Sequence, residues 1–160
     1  RSPWGPSADP AELAAVMAVT GCDDLAGRRY PALSGGEQQR VQLARVLAQV
    51  WEPVLNGRPR WLFLDEPVAS LDIGHQLTVM RLARDYARRG GGVVAVMHDL
   101  NLTALFADKV VLLHEGRIVA ADTPQRVLTS ETLSAAYGCL LRVGEAPAPG
   151  IPFVLPQTAA

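Results

Sequence analysis

Two segments in a fixed order constrain this chain most: Leu33-Ser-Gly-Gly-Glu-Gln-Gln-Arg40, and further on the apolar run Trp61-Leu-Phe-Leu64 that ends in Asp65-Glu66-Pro67. Ser34 followed three positions on by Glu37 is a capping box. The Gly-rich stretch therefore opens a helix, and the N–H groups of its first turn form an anion site. Ser34 adds a hydroxyl, while Gly35 and Gly36 let phosphate oxygens reach the backbone with no Cβ in the way. The second segment reads as a strand buried on both faces. Its carboxyl end presents two carboxylates where a parallel sheet offers groups to a ligand. One half suits phosphate, and the other suits a magnesium ion and a water.

Around these segments the chain alternates helix and strand. Asp9-Pro10-Ala11-Glu12 has the cap, first-turn proline and N3 glutamate of a helix that runs to Gly21. The helix from Ser34 carries Val41, Leu43, Ala44, Val46, Leu47 and Val50 on more than one side, which predicts deep packing. Pro53, Gly57 and Pro59 predict a loop over 51–60. Asp72 caps a helix with Ile73, Leu77, Met80, Ala83 and Ala87 at helical spacing, ending at Gly90-Gly91-Gly92. A buried strand at 93–97 and a short helix at 101–106 follow. Helix then buried strand, twice, is the parallel α/β pattern. Glu115-Gly116 between 109–114 and 117–121 predicts a β-hairpin. Thr123-Pro124 opens a short helix, Thr129 or Ser130 caps another ending at Gly138, and the Pro-rich tail from Glu145 offers one edge strand at 151–155.

Composition bounds the function. With 160 residues, nearly half of them apolar and 19% charged, the chain is expected to build a folded core. A net charge of -1 gives no electrostatic reason to expect nucleic acid, and Arg28-Arg29, Arg88-Arg89 and Arg58 to Arg60 read as solvated faces. No apolar run approaches the roughly 20 residues of a membrane helix, so contact with a membrane would come through a partner. Cys22 and Cys139 match no metal or redox spacing. Trp51 and Trp61 read as core anchors, because no basic groove accompanies them. His75 and His114 read as surface residues.

With Ser70-Leu71-Asp72 after the carboxylates and Met97-His98-Asp99 ending the next apolar run, the order resembles the ATP-binding subunit of ABC transporters. The resemblance implies the C-terminal part of a P-loop NTPase domain, α/β with a mostly parallel sheet, a helical signature segment and a C-terminal β-hairpin. Residues 1–50 would be the remnant of a helical subdomain with the signature, 61–144 part of the catalytic core, and 145–160 a tail. It implies ATP and Mg2+ as cofactors, with Ser34, Gly35, Gly36, Glu37, Gln38 and Asp72 facing nucleotide. Asp65 would hold magnesium, commonly through water, Glu66 would be the general base, and His98 the switch histidine. Its partners would be a second ATPase subunit in a homodimer with shared sites, two transmembrane permease subunits, and indirectly a periplasmic or extracellular binding protein. The place would be the cytoplasmic face of the inner membrane, held peripherally.

The run from His98 to Arg117, the continuation Thr123 to Thr129 and the segment 51–60 resemble the importer ATPases for haem, ferric siderophores and cobalamin, most of all those for hemin. A P-loop, Gly-x-x-x-x-Gly-Lys-Ser/Thr, has no match: the single lysine, Lys109, lies in no such motif. The Gln-bearing loop of the family has none either. The P-loop and first sheet are therefore expected upstream of Arg1, with Ser2 to Gly5 as a remnant edge of the permease-receiving segment. Two other readings are a non-catalytic truncated subunit that only pairs with an intact one, and half of a chromosome-maintenance ATPase of the SMC type. The second conflicts with the absence of heptads before Leu33.

Overall fold

The computed structural model describes residues 10–69 and 71–156. The Asp9 cap, the Ser2 to Gly5 edge and Ser70 lie outside the described residues. Two compact units divide between Met97 and His98.

In the first unit, α1 (Pro10–Thr20) ends at Gly21, whose φ of 63° supplies the left-handed turn that stops a helix. Two short 3₁₀ turns lead to α2 (Gly35–Gln49). Next come β1 (Val54–Leu55), β2 (Arg58–Pro59), β3 (Trp61–Asp65), α3 (Ile73–Arg88) and β4 (Gly92–Val96). β3 and β4 are parallel and in register from Trp61↔Gly92 to Asp65↔Val96. The core joins Val16 of α1, Ala44 and Leu47 of α2, Leu62 of β3 and Tyr86 of α3 with Cys22, Leu25 and Leu33. Apolar side chains from four elements thus fix where α2 and the end of β3 lie.

Several expectations are corrected here. β3 is buried on one face only: Leu62 is 2% exposed, but Phe63 is 70% and Trp61 56% exposed. Leu62 and Leu64 point to the core, whereas the opposite face, with Val94 and Val96 of β4, lacks a covering layer among the described residues. Trp61 is therefore no core anchor; Trp51 is partly buried against the core, with the Arg89 guanidinium 5.7 Å over its ring. Helix α2 buries only Ala44 and Leu47, and Val46 is exposed, so it packs along one stripe. The segment 51–60 is a hairpin: β1 and β2 pair antiparallel across Asn56-Gly57, both at positive φ (52° and 72°) as a type I′ turn requires.

In the second unit, α4 (Leu100–Phe106) precedes the hairpin of β5 (Val110–His114) and β6 (Arg117–Asp122), then α5 (Pro124–Val127) and α6 (Ser130–Tyr137). Glu115 and Gly116 take the positive φ of the tight turn, and a bulge between Leu112 and Leu113 shifts the register. Val110, Val127, Leu128 and Leu133 form its core. Thr129 is the cap of α6 and Gly138 its left-handed end. Residues 151–155 form no strand; Pro152 has no N–H to give to a ladder.

Candidate functional site

The anion-facing half is built by the capping box. The Ser34 N–H donates to Glu37 Oε2 at 2.7 Å, and the Glu37 N–H donates to Ser34 Oγ at 3.3 Å. Accepting that backbone N–H, then the Ser34 side chain, holds the Glu37 carboxyl below its ordinary value, and Arg28 Nη1 stands 3.4 Å away. Gly35 and Gly36 are the next first-turn donors, and the macrodipole of a 15-residue helix stands behind them. A Cβ on Gly35 would meet nothing within 4 Å, so the space above this turn is open. The Gln38 amide donates to the carbonyls of Leu33 (3.0 Å) and Tyr30 (3.4 Å), bracing the approach to the helix.

The carboxylate half sits at the carboxyl end of β3. Asp65 is its last residue and is exposed. Glu66 keeps the ladder, its N–H donating to Val96 O at 3.2 Å, yet has a φ of 46°. A left-handed backbone at a residue with a Cβ is strained and persists where the surroundings impose it. The turn that imposes it is closed by Ala69 N–H to Glu66 O at 3.1 Å. That strained position directly follows the last residue of the strand, and Glu66 is exposed there.

Asp72 caps α3, accepting the His75 N–H at 2.9 Å, and its second oxygen meets His75 Nδ1 at 2.6 Å. The backbone N–H of His75, then its imidazole, lower the Asp72 pKa. His75 also meets Arg40 Nη1 of α2 at 3.0 Å. Its sequence context predicts a plain surface residue, because no local signal reveals a partner 35 residues away. His98 begins the second unit, one residue before Asp99, whose side chain caps α4 by accepting from Asn101 and Leu102, both at 2.8 Å.

Among the described residues no group of three or more His, Cys, Asp or Glu gathers to hold a metal. Asp65 and Glu66 fit the sparser mode of Mg2+, one or two carboxylates completed by phosphate and water. No described helix is long and apolar enough to cross a membrane.

No family model matches the chain. It is 65% identical over 144 residues to the Hemin import ATP-binding protein HmuV of Jannaschia sp. (strain CCS1), covering 90% of this chain and 53% of that protein. The proteins of the same name from Mesorhizobium japonicum and Ruegeria sp. (strain TM1040) are each 59% identical, over 90% and 97% of this chain and 55% and 60% of their own length. The chain thus spans little more than half the length of the curated relatives it matches. Among solved structures it superposes on a metal-chelate type ABC transporter in an inward-facing conformation with a TM-score of 0.66 at 27% identity, over 84% of this chain and 50% of that one. CbiO1 of Clostridium perfringens, part of the ABC transporter complex cbiONQ, gives 0.59 at 26%, over 78% and 47%. Identity across nine-tenths of its length and a shared α/β fold agree: over its own span the chain is similar to the ATP-binding subunits of ABC transporters.

Proposed function

We propose that the full-length protein carrying this chain binds and hydrolyses ATP to energise import of haem (hemin) through a membrane permease. The observation that carries this reading is the identity, 65% and 59% over nine-tenths of the chain, to proteins named for hemin import.

In this reading Ser34, Gly35 and Gly36 offer a hydroxyl and two N–H groups to the γ-phosphate of ATP held by the P-loop of an opposing, identical subunit. Glu37 keeps the turn in shape from beneath. Asp65 would hold Mg2+, and the ion would offset charge on the phosphate oxygens. Glu66 accepts the proton of the attacking water, and its strained backbone fixes the direction from which it does so. His98 donates to a phosphate oxygen and keeps the water and Glu66 in line. Asp72, held by its cap, faces the nucleotide, and Gln38 joins that side of the site while bracing the signature loop through Leu33 and Tyr30. Two such subunits, each seated against a permease on the cytoplasmic face of the inner membrane, would close on ATP and reopen after hydrolysis. A binding protein on the far side would deliver the cargo.

Glu66→Gln in the full-length protein tests the reaction. The amide keeps size and loses basicity, so turnover should fall by about 10² or more while ATP binding survives. Wild-type turnover would remove Glu66 from the role of base. Disrupting the gene tests the cargo: growth should fail with haem as sole iron source. Normal growth on haem, with a defect on a ferric siderophore or on cobalamin, would overturn the haem assignment and leave the ATPase intact.

A further inference from the structure

Arg40 Nη1 makes two contacts that leave its own helix. It donates to the carbonyl of Gly21, at the end of α1, at 3.2 Å, and it meets His75 Nε2 of α3 at 3.0 Å. A guanidinium has donors only, so the facing Nε2 must accept. The imidazole proton is then on Nδ1, which donates to Asp72 Oδ2 at 2.6 Å. One tautomer satisfies both contacts, and the other satisfies neither. The backbone N–H of His75 meanwhile binds Asp72 Oδ1 at 2.9 Å, so both carboxylate oxygens are committed to one residue.

From this geometry we infer that His75 is a positioning residue for the ATP site: it orients the Asp72 carboxylate and ties it, through Arg40, to the helix that carries Ser34 and Gly35. The inference rests on the proposed reading of Ser34, Gly35 and Asp72 as groups that face nucleotide or the shared dimer face. Stability alone does not account for the bridge. The imidazole is 42% exposed and the Asp72 side chain 69%, and polar pairs with that much water contact contribute little to folding. What the bridge supplies is register. Arg40 closes the signature octet and Asp72 precedes α3, so a shift of either helix breaks a contact of His75 and frees the other element. Without His75, Asp72 would retain its cap but lose the bond that sets its second oxygen, and α2 would lose its side-chain tie to the start of α3 while keeping its apolar stripe, the Gly21 contact and the Gln38 bonds to Leu33 and Tyr30.

The test uses the full-length protein, with three variants beside Glu66→Gln as control. His75→Leu should lower kcat about tenfold with KM for ATP within about twofold, because nucleotide affinity does not depend on helix register. The melting temperature should stay at the parent's. Arg40→Met should do at least as much, and the double variant should be no worse than Arg40→Met alone, since both break one bridge. The imidazole nitrogens, read by ¹⁵N NMR in the nucleotide-free protein, should show His75 protonated at Nδ1 and bare at Nε2. A proton on Nε2, additive losses in the double variant, or a drop in melting temperature that accounts for the lost turnover would each overturn the inference. So would His75→Leu with normal kcat beside an inactive Glu66→Gln; in that case the ATP-site reading stands and only the positioning role falls. Normal turnover in Glu66→Gln removes the reading itself and the inference with it.

Discussion

Glu66 combines a side chain suited to accept a proton with a backbone that disfavours any side chain at all, its φ being 46°. A left-handed conformation at a non-glycine residue costs on the order of 1–2 kcal/mol. Glu66→Gly removes both the carboxylate and the strain. The full-length variant should therefore lose turnover while its urea midpoint is no lower than the parent's, the gain offset in part by the freer unfolded chain. A clear drop in midpoint would show that the carboxylate itself stabilises the fold. Glu37 and Asp72 behave oppositely. Both pKa values are depressed in the folded chain, so each contributes stability present above its ordinary value and lost as pH falls through its lowered one. Below about pH 4 the starts of α2 and α3 should loosen, and Glu37→Gln with Asp72→Asn should flatten the acid limb of a denaturation midpoint against pH. A limb of unchanged slope would count against the caps as its source. The capping box was legible in sequence because its partners lie three residues apart. The strain at Glu66 and the His75 bridge were not, since one depends on how a turn is closed and the other on a contact 35 residues away.

At the scale of elements, α2 is held by one apolar stripe and a cap, and it leaves its first turn open. Gly35→Asp should therefore keep the fold, with circular dichroism and melting unchanged, and abolish ATP hydrolysis in the full-length protein by placing a charge where phosphate must approach. Loss of folded structure in this variant would show that the turn is not open. The hairpin of β1 and β2 marks where sequence reasoning stopped short. Pro53, Gly57 and Pro59 break a helix and so predict a loop, although Asn56-Gly57 is itself a strong hairpin signal. Strands of two residues gave no alternation to accompany it. Glu115-Gly116, flanked by longer strands, was legible for that reason, whereas the bulge at Leu112/Leu113 had no local marker.

On the scale of the whole molecule, parallel strands are ordinarily covered on both faces, and β3 and β4 leave Trp61, Phe63, Val94 and Val96 open. The sequence showed an apolar run but could not show how many layers meet it, because a layer that packs on a strand is set by contacts distant in sequence; the chain spans little more than half the length of the curated relatives it matches. The 160-residue chain also has no Gly-x-x-x-x-Gly-Lys-Ser/Thr for the β- and γ-phosphates. By itself it should bind a hydrophobic dye and show no micromolar affinity for ATP by calorimetry, and the full-length protein should reverse both. Micromolar binding by the chain alone would relocate the nucleotide contacts to residues present here. Trp61, lying across Gly92 on that open face, then becomes an optical reporter. With the other two tryptophans replaced by phenylalanine, its emission would sit near that of indole in water in the short chain and move to shorter wavelength once a neighbouring layer covers it, so that assembly could be followed in real time.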